Sequence, residues 1–180
     1  MDLSLLLWVF FALIVFWCMG LYNRLMRLRA RAKEVLSALE RHVLACADLV
    51  SKHLTTGALL GAADVDPEWL DVLVAAQELD TMLRAPHTSG LDEAAIEPMS
   101  AGWTALQTAW QLAVDRQSDL AGPVVPPDLA LSWDAAVLKV RVVQGGYTQI
   151  VDRYNTSIAE FPARLVAGHF GFTPAGQFFS

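Results

Sequence analysis

LSLLLWVFFALIVFWCMGLYNRLMRLRARAKEVLSALERHVLACADLVSKHL, residues 3–54, decides how this chain is built. No charge interrupts Leu3–Asn23, a run of 21 residues. At 1.5 Å per residue it makes roughly 31 Å of helix, the thickness of a bilayer's hydrocarbon core. Leu, Phe, Ile, Val and Trp dominate it, and a buried core helix is rarely so apolar for so long. The run predicts a membrane span. Gly20 is its one helix breaker, so the helix should continue beyond Asn23. Trp8 and Trp17 flank its middle, and Trp17 suits either an interfacial belt or packing in an oligomer.

No Lys or Arg precedes the run, and no small-x-small site closes it, which argues for an uncleaved anchor rather than a signal. Cys18 follows Trp17 and not a small residue, which argues against a lipoprotein cysteine. Arg24, Arg27, Arg29, Arg31 and Lys33 come directly after the run. The bias places the N-terminus outside and the body in the cytoplasm, with this collar on anionic headgroups at about 1 kcal/mol per base. From Glu34 onward acids outnumber bases by 18 to 8. A basic collar under an acidic body argues against nucleic-acid binding, which needs a basic face on the body. Cys18 inside the span and Cys46 far beyond it are not placed to pair.

Past Asn23 the apolar residues become periodic. Leu21, Leu25, Leu28, Ala32, Val35, Leu39, His42, Cys46, Leu49 and His53 step by three and four, a seam of the coiled-coil type. Thr55-Thr56-Gly57 should end this helix, and residues 57–66 read as a linker. Asp66 as N-cap and Pro67 at the first helical position open a second helix. Its expected face is Trp69, Leu70, Leu73, Val74, Gln77, Leu79, Met82 and Leu83, ending near Arg84. A third helix is expected from about Leu91 to Leu120, kinked or restarted at Pro98 and weakened at Gly102, with Trp103, Leu106, Trp110, Ala113 and Val114 buried. Gly122-Pro123 and Pro126-Pro127 mark a further linker.

A fourth helix, about 40 residues long and so some 60 Å, starts at Asp128. Val140, Val143, Tyr147, Ile150, Tyr154, Ile158, Phe161 and Leu165 form its seam, with a bend after Phe161 at Pro162. Gly145-Gly146 reads equally as a weak point or as a place where another backbone comes close. Gly168 to Ser180, rich in Phe and Gly, should not be helical. No alternating strand pattern and no repeat occur. The class is all-α: a single N-terminal transmembrane helix, residues 1–23, continues into an antiparallel bundle of about four long helices, residues 24–169, with an aromatic tail, residues 170–180. Short loops make the helices alternate direction, which returns the tail to the collar.

The run Arg153-Tyr154-Asn155-Thr156-Ser157-Ile158-Ala159-Glu160-Phe161-Pro162-Ala163-Arg164-Leu165, with Phe170-Gly171-Phe172 and Phe178-Phe179 after it, resembles the LemA family. So do Tyr22-Asn23-Arg24-Leu25-Met26-Arg27-Leu28-Arg29 and Asp48-Leu49-Val50. The likeness covers about residues 20–52 and 147–180. It is that of a divergent member: Thr148 follows Tyr147, Gly145-Gly146 replaces a helix-favouring stretch, and Ser51-Lys52-His53 follows Val50. The resemblance marks Tyr22, Asn23, Tyr154, Asn155, Ile158, Phe161, Pro162, Leu165, Phe170, Gly171 and Phe172 as signature residues of structural kind. It implies one N-terminal anchor, a short external N-terminus and an antiparallel helical body, and supplies no catalytic residues.

Candidate sites are few. His42, Cys46 and His53 share a helical stripe, and His42 with Cys46 has i, i+4 metal-ligand spacing, but semi-polar seam residues explain them more simply. His87 and His169 read as solvated. Asp64, Asp66, Glu68, Asp71, Glu78 and Asp80 cluster without a partner nucleophile and suit an exposed helix start. No phosphate loop, G-x-S-x-G or H-E-x-x-H occurs. Asn155-Thr156-Ser157 matches a glycosylation acceptor but lies in an expected cytoplasmic helix. Tyr147, Tyr154 and Asn155 face the seam, with core packing the simpler role. The tail phenylalanines either cap the bundle or touch the bilayer or a neighbouring subunit.

The chain is thus expected to be a non-enzymatic, membrane-anchored scaffold or interaction protein of the bacterial inner membrane, without cofactor or metal. Its expected partners are the lipid bilayer, further copies of itself and another membrane protein. The alternatives are a regulatory adaptor or sensor for such a protein, or a ligand- or metal-binding module on helix one.

Overall fold

The computed structural model describes residues 3–59, 67–85, 90–118 and 127–178. Five α-helices carry them: α1 (Leu3–Leu59), α2 (Pro67–Arg84), α3 (Glu93–Ser118), α4 (Pro127–Ala159) and α5 (Ala163–Phe170). The class is all-α, with no strand among the described residues. The expected N-cap Asp66, His87 and most of both linkers lie outside the described residues.

α1 is one element of 57 residues. It passes through Gly20 and also through Thr55, Thr56 and Gly57, where a stop was expected. Thr and Gly each cost about 1 kcal/mol or less in a helix, and extending an existing helix is easier than starting one. Its N-terminal part stands clear of the body, with Trp8 73% and Phe16 80% exposed. The helix is long and apolar enough to cross a membrane, and none of its most apolar window is buried.

Beyond Tyr22 the same helix enters the core. Leu25, Ala32, Leu39 and Cys46 are buried as the periodicity predicts, together with Leu36, Val43, Ala47 and Val50. Leu21, Leu28, Val35, His42, Leu49 and His53 of the same seam are only half-buried. The buried face is wider than the expected seam because α1 packs against both α4 and α2.

The phase expected for α2 is corrected. Trp69, Val72, Ala76 and Leu79 are buried, while Leu70 and Val74 are exposed by 47% and 51%. Positions 69, 72, 76, 79 and 83 keep a 3–4 spacing that the larger residues at 70 and 74 obscured, and Ala76 counts because a small residue lets helices approach closely. α3 runs through Pro98 without restarting and buries Ile96, Met99, Trp103, Leu106, Trp110 and Ala113. Four tryptophans from three helices meet at its side: Trp110 stacks on Trp133 at 4.4 Å, Trp103 lies 6.1 Å from Trp133, and Trp69 meets Trp110 edge-on at 5.4 Å.

α4 is shorter than expected, 33 residues. Of its expected seam Val140, Tyr147, Tyr154 and Ile158 are buried, Val143 and Ile150 are only half-buried, and Phe161 and Leu165 are 82% and 66% exposed; Leu129, Trp133 and Val151 are buried as well. The chain leaves the helix before Pro162, which has no N–H to give, and the seam's phase is lost. The start of the tail is also corrected: residues 163–170 form a helix of their own, so Gly168 to Phe170 are helical, not irregular. Gly171 ends α5 in the left-handed conformation, φ 67°, with its N–H returned to the Ala167 carbonyl. At the Gly145-Gly146 pair a Cβ at either position would meet nothing within 4 Å in the same chain. No backbone among the described residues approaches there.

Candidate functional site

Tyr147, Tyr154 and Asn155 converge on the C-terminal segment. Residues 147 and 154 lie seven apart on α4, so both phenols project from one face, and Asn155 stands beside them. The Tyr147 hydroxyl donates to the Gly176 carbonyl at 2.9 Å. The Tyr154 hydroxyl donates to the Thr173 carbonyl, also at 2.9 Å. Asn155 donates its amide to the Ala175 carbonyl at 2.9 Å, and its Oδ1 accepts the Ala175 N–H at 2.8 Å. Gln144 and Gln177 add bonds to the Phe178 carbonyl and to Asp152. Residues 172–178 are thereby held by side chains as a strand would be held by a neighbour.

The far side of this segment meets α3. The Gly176 N–H donates to the Leu91 carbonyl at 2.6 Å, and a Cβ on Gly176 would lie 2.6 Å from the Glu93 Cα. Only glycine fits that approach. Phe172, Ala175 and Phe178 are buried in the main core. Of the two roles open to the tail phenylalanines, these two rings cap the helices. Phe170 differs: it is 57% exposed, and its ring lies 4.9 Å from Tyr22, the last aromatic of the uncharged run.

Burial shapes the chemistry here. Tyr147 is pushed well above the usual phenol range by desolvation, with the Glu40 carboxylate adding to it. Burial also raises Tyr154, opposed by the Arg29 charge. Both therefore stay neutral donors.

The collar divides. Arg29 is half-buried, with its guanidinium 5.9 Å from the Phe172 ring centroid, a cation–π contact with the tail. Arg24 and Arg27 line an open groove of about 580 Å³ with Asp152, Arg153, Thr156, Ser157 and Glu160. Arg31 and Lys33 are exposed. Tyr22 touches both Phe170 and Phe172, Ile158 is buried, Pro162 is half-buried, and Asn23 is exposed.

Other candidates stay apart. Cys46 is buried and free, its thiol pushed up to about 12 by burial against the opposing charge of Lys139. Among the described residues no three His, Cys, Asp or Glu side chains group as metal ligands. Asp64 and Asp66 lie outside the described residues, Asp71 and Glu78 are exposed, and Asp80 pairs with Arg84 at 2.7 Å. His169 is exposed with its ring 5.2 Å from Phe170. What sequence reasoning missed is the pairing of Tyr147 and Asn155 with Gly176 and Ala175. The signal was there in part, as polar side chains able to reach a backbone sat on an otherwise apolar seam.

Compared with known proteins, the chain matches no family model, no curated protein and no solved structure.

Proposed function

We propose that this chain is a membrane-anchored, non-catalytic helical scaffold of the bacterial inner membrane, LemA-like and self-associating. Its N-terminus lies outside, and its body, an antiparallel bundle, lies in the cytoplasm. One observation carries the reading. α1 passes from an apolar segment with no buried residue in its most apolar window into the packed core as one continuous helix, so anchor and body form a single rod. An anchor without a hinge presents its body at a set height and angle, which suits holding partners.

The antiparallel arrangement is supported by electrostatic neighbours between α1 and α4. Arg29 lies by Tyr154, Glu40 by Tyr147 and Cys46 by Lys139, so numbers rise along one helix as they fall along the other. Contact with lipid is supported at the collar end. The exposed Phe161, Leu165 and Phe170 accompany Arg24 and Arg27 there, at the boundary of the apolar run. An apolar face beside basic residues suits the headgroup layer.

The test is the mass of the full-length protein in mild detergent beside a chain beginning at Leu21. A discrete assembly that needs residues 1–20 supports the reading; a monomer in both forms overturns self-association. An active alkaline phosphatase fused after Ser180 would overturn the orientation.

A further inference from the structure

α4 carries two apolar stripes. One faces the core through Trp133, Val140, Tyr147 and Val151. The other is Leu131, Ala135, Leu138, Val142 and Gly145, in steps of 4, 3, 4 and 3. At about 100° per residue its centre lies roughly 180° from Val140, directly away from the core. All five are exposed, with Leu131 at 71%, Leu138 at 59% and Val142 at 68%. Gln149 and Asp152 end the stripe with polar groups. Large apolar side chains repeated at heptad spacing along one exposed face suit contact with another helix.

We propose that this outward stripe is a self-association seam, on which a second copy of the chain lays the same stripe in parallel. The inference rests on the anchored, self-associating reading above and names its surface. Copies anchored in one membrane with one orientation meet with their α4 helices parallel, about a two-fold axis normal to the bilayer. In heptad terms Ala135 and Val142 then stand at a, with Leu131, Leu138 and Gly145 at d. A β-branched residue at a with leucine at d favours two strands. The flanking charges agree. Asp134 stands at g and Lys139 at the following e position, so each Asp134 faces the partner's Lys139 on both sides of the axis. Gly145, which has no close neighbour among the described residues of one chain, stands where the partner's backbone comes nearest. The stripe is short, about 21 Å at 1.5 Å per residue. Confinement by the anchor, which raises the effective concentration, makes up for its length.

The test uses the full-length chain with Cys18→Ser in lipid nanodiscs and in mild detergent. Ala135→Cys or Val142→Cys is expected to form an intermolecular disulfide under mild oxidation, and Thr104→Cys on α3 is not. Leu138→Glu, at a site already exposed in the single chain, should leave helix content unchanged and weaken association at least about tenfold. Asp134→Lys should weaken it as well, and Asp134→Lys with Lys139→Asp should restore it. If the assembly persists unchanged in Leu138→Glu with Val142→Glu, this seam is wrong while self-association stands. A wild-type monomer removes both. Restoration by Asp134→Arg with Arg141→Asp, and not by the Lys139 exchange, would mean an antiparallel pairing and overturn the parallel seam.

Discussion

Asn155 grips the backbone of Ala175 from both sides, giving an N–H to its carbonyl and taking its N–H onto Oδ1. An amide side chain is the one group of this length that can do both. Asn155→Ala should destabilise the fold by about 1–3 kcal/mol, because a partly buried donor and acceptor lose their partner together. Asn155→Asp should cost a similar amount, since a carboxylate cannot donate to the Ala175 carbonyl. Urea unfolding in detergent measures the loss, and faster carboxypeptidase trimming of the tail locates it. Wild-type stability in both variants would show that the tail is not held this way.

Glycines at two places should respond oppositely to alanine. Gly176→Ala drives a Cβ into the Glu93 backbone and should undock the tail. Gly146→Ala meets nothing within 4 Å, so it should stabilise α4 by up to about 1 kcal/mol through helix propensity. Thermal melts of the two variants side by side check the sign of each.

Alkaline pH should weaken the fold in a defined order. The Cys46 thiol, pushed from 9.0 to about 12, holds its proton more tightly folded than unfolded. Its contribution is complete below the unfolded value near 9.0 and is lost as pH rises towards 12. By pH 11 the loss is on the order of 2–3 kcal/mol. Tyr147 and Tyr154, also raised, act in the same sense at pH values above the ordinary phenol range. Unfolding free energy measured against pH should fall less steeply in Cys46→Ala above pH 9.0. An equal slope in the variant would mean that the folded thiol ionises normally. In the Cys18→Ser background the native protein should also resist thiol reagents until denaturant is added.

The outer side of α5 should touch lipid. A polarity-sensitive fluorophore at Leu165→Cys, in the Cys18→Ser background and reconstituted into vesicles, should emit to the blue of the same probe at Thr104→Cys. It should also be quenched by brominated acyl chains. Emission typical of water at position 165 would take α5 off the membrane.

Much of this molecule is legible in one dimension. The apolar run, the basic residues after it, the heptad steps of α1 and α4, and the punctuation at Pro67 and Pro162 all act through neighbours along the chain. Length, charge order and helical period therefore suffice to read them. The tertiary structure decided which of several apolar phases each helix buries. α1 widens its buried face because two helices claim it, and α2 buries Val72 and Ala76 in place of Leu70 and Val74 because helices pack by shape as well as by hydropathy. It alone joined residues far apart in sequence, Tyr147 to Gly176, Asn155 to Ala175 and Gly176 to Leu91. No local propensity encodes such bonds, because the backbone groups they satisfy have no partner until the tail has crossed the bundle.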